Sequence, residues 1–173
     1  MEKNETIKSV TMILSGSLLQ MFNGIGNGWI STLTAIFGLI LLFMGLSKLK
    51  RGIDEAGQGA VKMLIIAAVL GIIGLILDLI PLVGIVASIV FIVAFIVQLI
   101  GVLKLKKSET IGESGKSGVT LLLIAMILAI LQSIVGFVPF AGGIVAGIIS
   151  LVALILLFFG WLRIQDGIII NNP

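Results

Sequence analysis

From Met63 to Leu103 the chain carries a single ionisable side chain, Asp78. One helix needs only about 20 residues to cross a hydrocarbon core of about 30 Å, so this stretch is long enough for two. It also contains Pro81. Proline lacks an amide N–H and restricts the residue before it, so a helix is expected to stop there rather than bend. The same logic along the chain gives six apolar blocks: Ile7–Phe22, Trp29–Leu46, Ala60–Leu77, Leu82–Leu103, Gly118–Val135 and Phe140–Leu162. Backbone polar groups in lipid must find partners within their own segment. None of the blocks alternates apolar and polar residues as a membrane strand would, so each is expected to be helical.

Composition narrows the class further. Charged residues make up 11% of the chain, against about 25% in a soluble domain, so the solvent of this protein is expected to be lipid. Cysteine, histidine and tyrosine are absent, which excludes disulfides, thiolate metal sites and the commonest general base. No nucleotide, metal or activated-nucleophile motif is present. We therefore expect neither an enzyme nor a bound cofactor. A net charge of only +3 offers no nucleic-acid surface. At the N-terminus Glu2 and Glu5 balance Lys3 and Lys8, and no small-x-small cleavage site follows, so a retained first helix is expected.

The blocks repeat. Gly57–Pro81 lies over Gly115–Pro139 without a gap, and after one inserted residue Gly84–Lys106 lies over Gly143–Gln165. Gly84 meets Gly143, Gly101 meets Gly160, and Lys104 meets Arg163. Ala35–Arg51 matches Phe91–Lys107 at its glycine and basic end, but its tip has no proline. The expected fold is an all-α integral membrane protein of six transmembrane helices, arranged as three tandem helical hairpins in a pseudo-threefold bundle. The hairpins would occupy residues 1–54 (diverged), 55–112 and 113–173, together forming one membrane domain. Pro81 and Pro139 mark equivalent tips, with Gly84, Gly142 and Gly143 expected to allow the tight reversal. The helices before these tips look short: Met63–Leu77 would extend about 22 Å, against about 33 Å for Leu82–Leu103.

Charge then orients the hairpins. All eleven basic residues fall on the open-end segments and none on the three tips. Short basic loops stay cytoplasmic, so both termini are expected inside, in the inner (plasma) membrane of a prokaryote. The clusters Lys48, Lys50, Arg51 and Lys104, Lys106, Lys107 are candidates for contact with lipid headgroups. Trp29 and Trp161 suit the aromatic belts at the outer and inner interface.

The polar residues inside the blocks supply the candidate sites. Asp78 sits just before a tip, where it is expected to be solvated among headgroups or to cap the next helix. Ionisable groups in spans also serve ion and proton handling, so Asp78, Gln98 and Gln132 form a candidate polar path. Ser15, Ser17, Gln20, Thr32, Thr34, Ser88, Ser133 and Ser150 are expected to bond between helices or back to their own. Ala67/Gly71, Gly84/Ser88 and Gly143/Gly147 place small residues on one helical face each, as close packing requires.

Chain length, hairpin repetition and the glycine-containing helix end "GLILLFMGLSKL" resemble small six-helix bacterial proteins of the acid-resistance (HdeD-like) type. The resemblance implies the six-helix fold and no particular activity. The expected function is that of a non-catalytic subunit or accessory component of a membrane complex. Its expected partners are membrane lipid and other membrane subunits, or further copies of itself. The alternative is a small channel or transporter for a proton, ion or small solute, since duplicated units are common among transporters. The apolar tips "LIPLVG" and "FVPFAGG" should dip into the outer interface. A lone cysteine placed at Leu82 should therefore react slowly with a membrane-impermeant thiol reagent, and rapid labelling would overturn this placement.

Overall fold

Because a backbone amide inside lipid has no water to turn to, each apolar run can persist only by closing its own hydrogen bonds. The computed structural model describes residues 3–21, 29–80, 82–135 and 142–171, and those residues form helices joined by short connectors. The helices are α1 (Lys3–Met21), α2 (Trp29–Leu49), α3 (Glu55–Asp78), α4 (Gly84–Leu105), α5 (Gly112–Val135) and α6 (Gly142–Asn171), with a 3-10 turn at Lys50–Gly52. Five of them, α2 to α6, are long and apolar enough to cross a membrane. The exception, α1, carries Lys3, Glu5 and Lys8 at its start and Ser15, Ser17 and Gln20 further along.

The helices overrun the apolar blocks at their basic ends. At 24 residues α3 is about 36 Å long, and at 30 residues α6 is about 45 Å. The expected shortness of the helix before the second tip is thus corrected. The polar stretches "GIDEAGQG" and "KSETIGESGKSG" belong largely to the first turns of α3 and α5. Acidic Glu55 and Glu113 sit in those turns, where the helix dipole favours negative charge.

Consecutive helices pack antiparallel. One arrangement repeats, in which a glycine meets a carbonyl oxygen of the preceding helix. A Cβ built on Gly45 would lie 2.7 Å from the Ser9 carbonyl oxygen; on Gly101, 3.2 Å from that of Ala60; and on Gly160, 3.0 Å from that of Gly118. In each case one aliphatic side chain, a turn further along, closes over the glycine: Ile13, Leu64 and Leu122, at 2.7, 2.8 and 2.8 Å. Only a residue without a side chain permits such an approach, which membrane helices use in place of a hydrophobic driving force. The positions around this contact are buried in all three pairs. Val10, Val61 and Val119 are 0% exposed, as are Leu49, Leu105 and Ile164.

These residues, with Leu46, Val102 and Trp161, make one core that joins all six helices at the basic end. Towards the tips the core thins. The α2–α3 seam keeps a second cluster of Ala35, Leu39, Ala68 and Leu75. By contrast, no described side chain of α5 beyond Met126 and none of α6 before Ala153 is buried. Trp161 is therefore corrected: it is a core residue, 6% exposed, because α6 continues well past it to Asn171. The side chain of Trp29 lies outside the described ones.

The tips also need a correction. Pro81 and Pro139 lie outside the described residues. Gly84 opens α4, and Gly142 and Gly143 open α6. The left-handed residue at the second tip is instead Leu82, with φ 75°, a conformation that costs a bulky residue about 1–2 kcal/mol. Leu82 is also fully exposed. At the other end Gly112 takes φ 57° with the Asn171 side chain filling the space of a Cβ, so glycine is required there.

Replacing Gly160 or Gly118 by alanine should lower stability by about 1–3 kcal/mol, since the new methyl meets backbone that cannot yield. Gly147 faces open space, so Gly147→Ala should be neutral or mildly stabilising. Thermal unfolding in detergent distinguishes the two outcomes.

Candidate functional site

Inside the bundle, from the basic-end core towards the tips, runs a cavity of about 460 Å³. Its floor is the ring Leu46, Val102 and Trp161, and its upper walls include Ala35, Leu75 and Phe91. All six helices contribute to it. The space exists because the walls are built from small residues: Ala67, Gly71, Ala94, Ala125 and Ala153 stand where larger side chains would close it. The small-residue pair Ala67/Gly71 thus shapes a cavity as well as a helix contact.

Three lining side chains are polar: Ser17, Gln20 and Gln98. The Ser17 hydroxyl donates to the Ile13 carbonyl at 2.8 Å, and the Gln20 amide Nε2 donates to the Gly16 carbonyl at 3.4 Å. Both are engaged with their own helix, as expected for such residues in spans. The Gln98 side chain is exposed, and its amide has no hydrogen-bond partner among the described residues. Leu42 and Leu157 line the same cavity at the positions that correspond to Gln98 in the repeat. Gln98 is therefore one of two amides, with Gln20, in a mostly apolar lining.

The proposed path of Asp78, Gln98 and Gln132 is not assembled here. Only Gln98 lines the cavity. Asp78 is the last residue of α3; its side chain is exposed, has no hydrogen bond among the described residues, and does not cap α4. The cap position there is Val83, which has no side-chain hydrogen bond. Gln132 lies half-buried on α5, outside the cavity wall. Ser88 and Ser133 bond back to Gly84 and Ala129 of their own helices. Ser17 and Gln20 were legible only as scattered polar residues, because α1 has no sequence alignment with α3 and α5 that would have set its inward face.

A second polar feature ties the connectors together at the basic end. Asp54 caps α3: Oδ1 accepts from the Gly57 amide at 3.2 Å and from the Ser108 hydroxyl. Oδ2 accepts from the Glu109 amide at 2.9 Å, and the Asp54 amide donates to Thr110 Oγ1 at 2.9 Å. One carboxylate thus latches the α2–α3 connector onto the α4–α5 connector. The basic clusters lie beside this latch, so Lys50 and Lys106 share one end of the bundle. Lys48, Arg51, Lys104, Lys106 and Lys107 are exposed and Lys50 is half-buried. Among the described residues none of the six forms an ion pair, whereas Lys116 pairs with Glu113 at 2.7 Å.

Partial burial works to raise the pKa of Asp54. The hydrogen bonds from Ser108, from the Glu109 and Gly57 amides and from Thr110 outweigh it, so the carboxyl stays below its ordinary 3.8. A carboxyl with a lowered folded pKa stabilises at pH above 3.8, and that contribution disappears as pH falls through the lowered value. Asp54→Ala should therefore cost about 1–2 kcal/mol at neutral pH. The deficit relative to the parent should shrink in acid, as read by thermal unfolding across pH.

No family model, no curated protein and no solved structure matches this chain. The resemblance to acid-resistance proteins draws no support from these comparisons. The functional reading therefore rests on the geometry alone.

Proposed function

We propose that this chain is a non-catalytic component of a membrane assembly, a subunit or accessory protein whose partners lie within the bilayer. The observation that carries the reading is the loss of burial in the outer half of α5 and α6. None of their described side chains there is buried, and Ile127, Ile134, Ile144 and Ile148 are 61%, 62%, 72% and 60% exposed. The apolar side chains that these two helices leave uncovered offer a surface for a neighbouring helix. The short polar connectors leave almost no mass outside the membrane for other kinds of recognition.

Under the same proposal, α1 crosses with the other five, and the helices form three tandem hairpins about a pseudo-threefold axis. The recurring glycine–carbonyl contact of Gly45, Gly101 and Gly160 supports this arrangement, including the first hairpin. The clustering of basic residues at one end supports cytoplasmic termini in a prokaryotic inner membrane. Extraction in a gentle detergent followed by native mass spectrometry should reveal a stoichiometric partner or a defined homo-oligomer. A lone monomer would overturn the proposal.

The second reading, a channel or transporter, is favoured by one observation, the Gln98 amide in the lining of the central cavity. Against it stands the floor of Leu46, Val102 and Trp161, each 6% exposed or less. Reconstituted vesicles that show solute flux, abolished by Gln98→Leu and retained by Asp78→Asn, would favour this second reading.

A further inference from the structure

We infer that the outward face of α5 near its start, where Lys106 and Arg163 reach onto it from two neighbouring elements, binds the phosphate of an anionic phospholipid. The inference rests on α4, α5 and α6 crossing the membrane, and is independent of the assembly proposed above.

Two hydrogen bonds build the site. The Lys106 ammonium donates to Thr120 Oγ1 at 3.4 Å, and the Arg163 guanidinium donates to Ser117 Oγ. Long basic side chains at helix ends ordinarily extend into the headgroup region. These two instead lie across onto α5, one from the end of α4 and one from α6, and meet hydroxyls three positions apart. On a helix surface that spacing is about 5–6 Å. The Thr120 hydroxyl donates in turn to the Lys116 carbonyl at 3.1 Å, so its oxygen is turned to receive Lys106.

Each cation keeps N–H groups beyond the one it gives to α5. Both side chains are exposed, and neither forms an ion pair among the described residues. Lys116 is already matched by Glu113, and Asp166, one turn beyond Arg163 on the water side, does not pair with it. Two uncompensated charges flanking a hydroxylated strip suit an anion with several acceptor oxygens. A phosphate group meets both through charge-assisted hydrogen bonds.

Depth selects a lipid over a soluble phosphate. Lys116 is the last ionisable residue before the apolar run of α5, and Arg163 is the first after that of α6. One turn towards the hydrocarbon from Lys106, Thr120 and Arg163 stand Leu103, Ile124 and Phe159. All three are exposed. A phosphate held at this level lies in the headgroup zone, with its acyl chains over that apolar band. Basic pockets between membrane helices recognise anionic headgroups in this way. A zwitterionic headgroup fits worse, because its own ammonium would join the cations. Topology by itself does not demand the hydroxyls: at the positions of Ser117 and Thr120, the repeat places Gly59 and Lys62 in α3.

The full-length protein in a neutral detergent, titrated with phosphatidylglycerol and read by native mass spectrometry, should retain one lipid per chain. Phosphatidylcholine should be retained at least about tenfold more weakly. Lys106→Gln with Arg163→Gln should weaken phosphatidylglycerol by about tenfold or more, since two charge-assisted contacts are lost. Lys48→Gln with Lys50→Gln removes the same charge at the end of α2, and should change retention by less than about twofold. Circular dichroism checks the helices of both variants. Equal retention of the two lipids by the parent, which needs no variant, would overturn the inference. So would an equal loss in both double variants, or displacement of the lipid by glycerol phosphate at matched concentration. A monomer that carries one phosphatidylglycerol would support this inference while overturning the proposed assembly.

Discussion

The contact between a glycine and a carbonyl oxygen of the preceding helix, made at Gly45, Gly101 and Gly160, is the interaction on which the rest of this bundle depends. In a bilayer, apolar side chains gain nothing by leaving lipid for one another, so helices associate through close packing and polar contacts. A glycine brings two backbones together and lets its Cα–H face an oxygen, a contact contributing about 0.5–1 kcal/mol. The larger effect is geometric. With the backbones close, Ile13, Leu64 and Leu122 fold over the glycines, and Val10, Val61 and Val119 are driven inward on the same face. The latch at Asp54 then ties two of the pairs together where the bundle meets water.

The tight end and the open end have a common cause. The three repeated glycine contacts and the latch lie in the basic half, while α1 and α2 meet again nearer the tip at Gly16 and Gly38. Along α2 and α3 the alanines Ala35 and Ala68 keep the seam closed. The pair α5–α6 has no such continuation, so its outer half turns its isoleucines to the surroundings. The cavity is the space enclosed where this divergence begins. Its small wall residues serve two geometries at once, since an alanine that permits close helices on one side leaves a void on the other.

Much of the fold was legible because charge and hydropathy act locally. Helical state, the break between α3 and α4 and the gathering of basic residues at one end follow from single segments. The close packing of α3 on α4 and of α5 on α6 accords with the glycines that coincide in the sequence. Other features were not legible, for physical reasons. Leu82 at positive φ breaks the rule that glycine takes such positions, and no local signal announces it. Trp161 looked interfacial because its helix appeared to end at Leu162, while the helix in fact runs on to Asn171. Asp54 lies in a stretch that reads as a linker. Its partners Ser108, Glu109 and Thr110 are more than fifty residues away.

By itself, the sequence determined the lipid-soluble class, the helical state of the apolar runs and the side on which the lysines and arginines collect. Each of these depends on the transfer of individual residues between water and hydrocarbon, which needs no knowledge of neighbours. Tertiary structure alone decided that Gln98 faces a chamber while Asp78 and Gln132 do not, and that α1 packs like α3 and α5. Every face of an apolar helix is compatible with lipid, so hydropathy does not say which face turns inward. That choice falls to the glycines, because only there can two backbones come close enough to set the rotation of each helix.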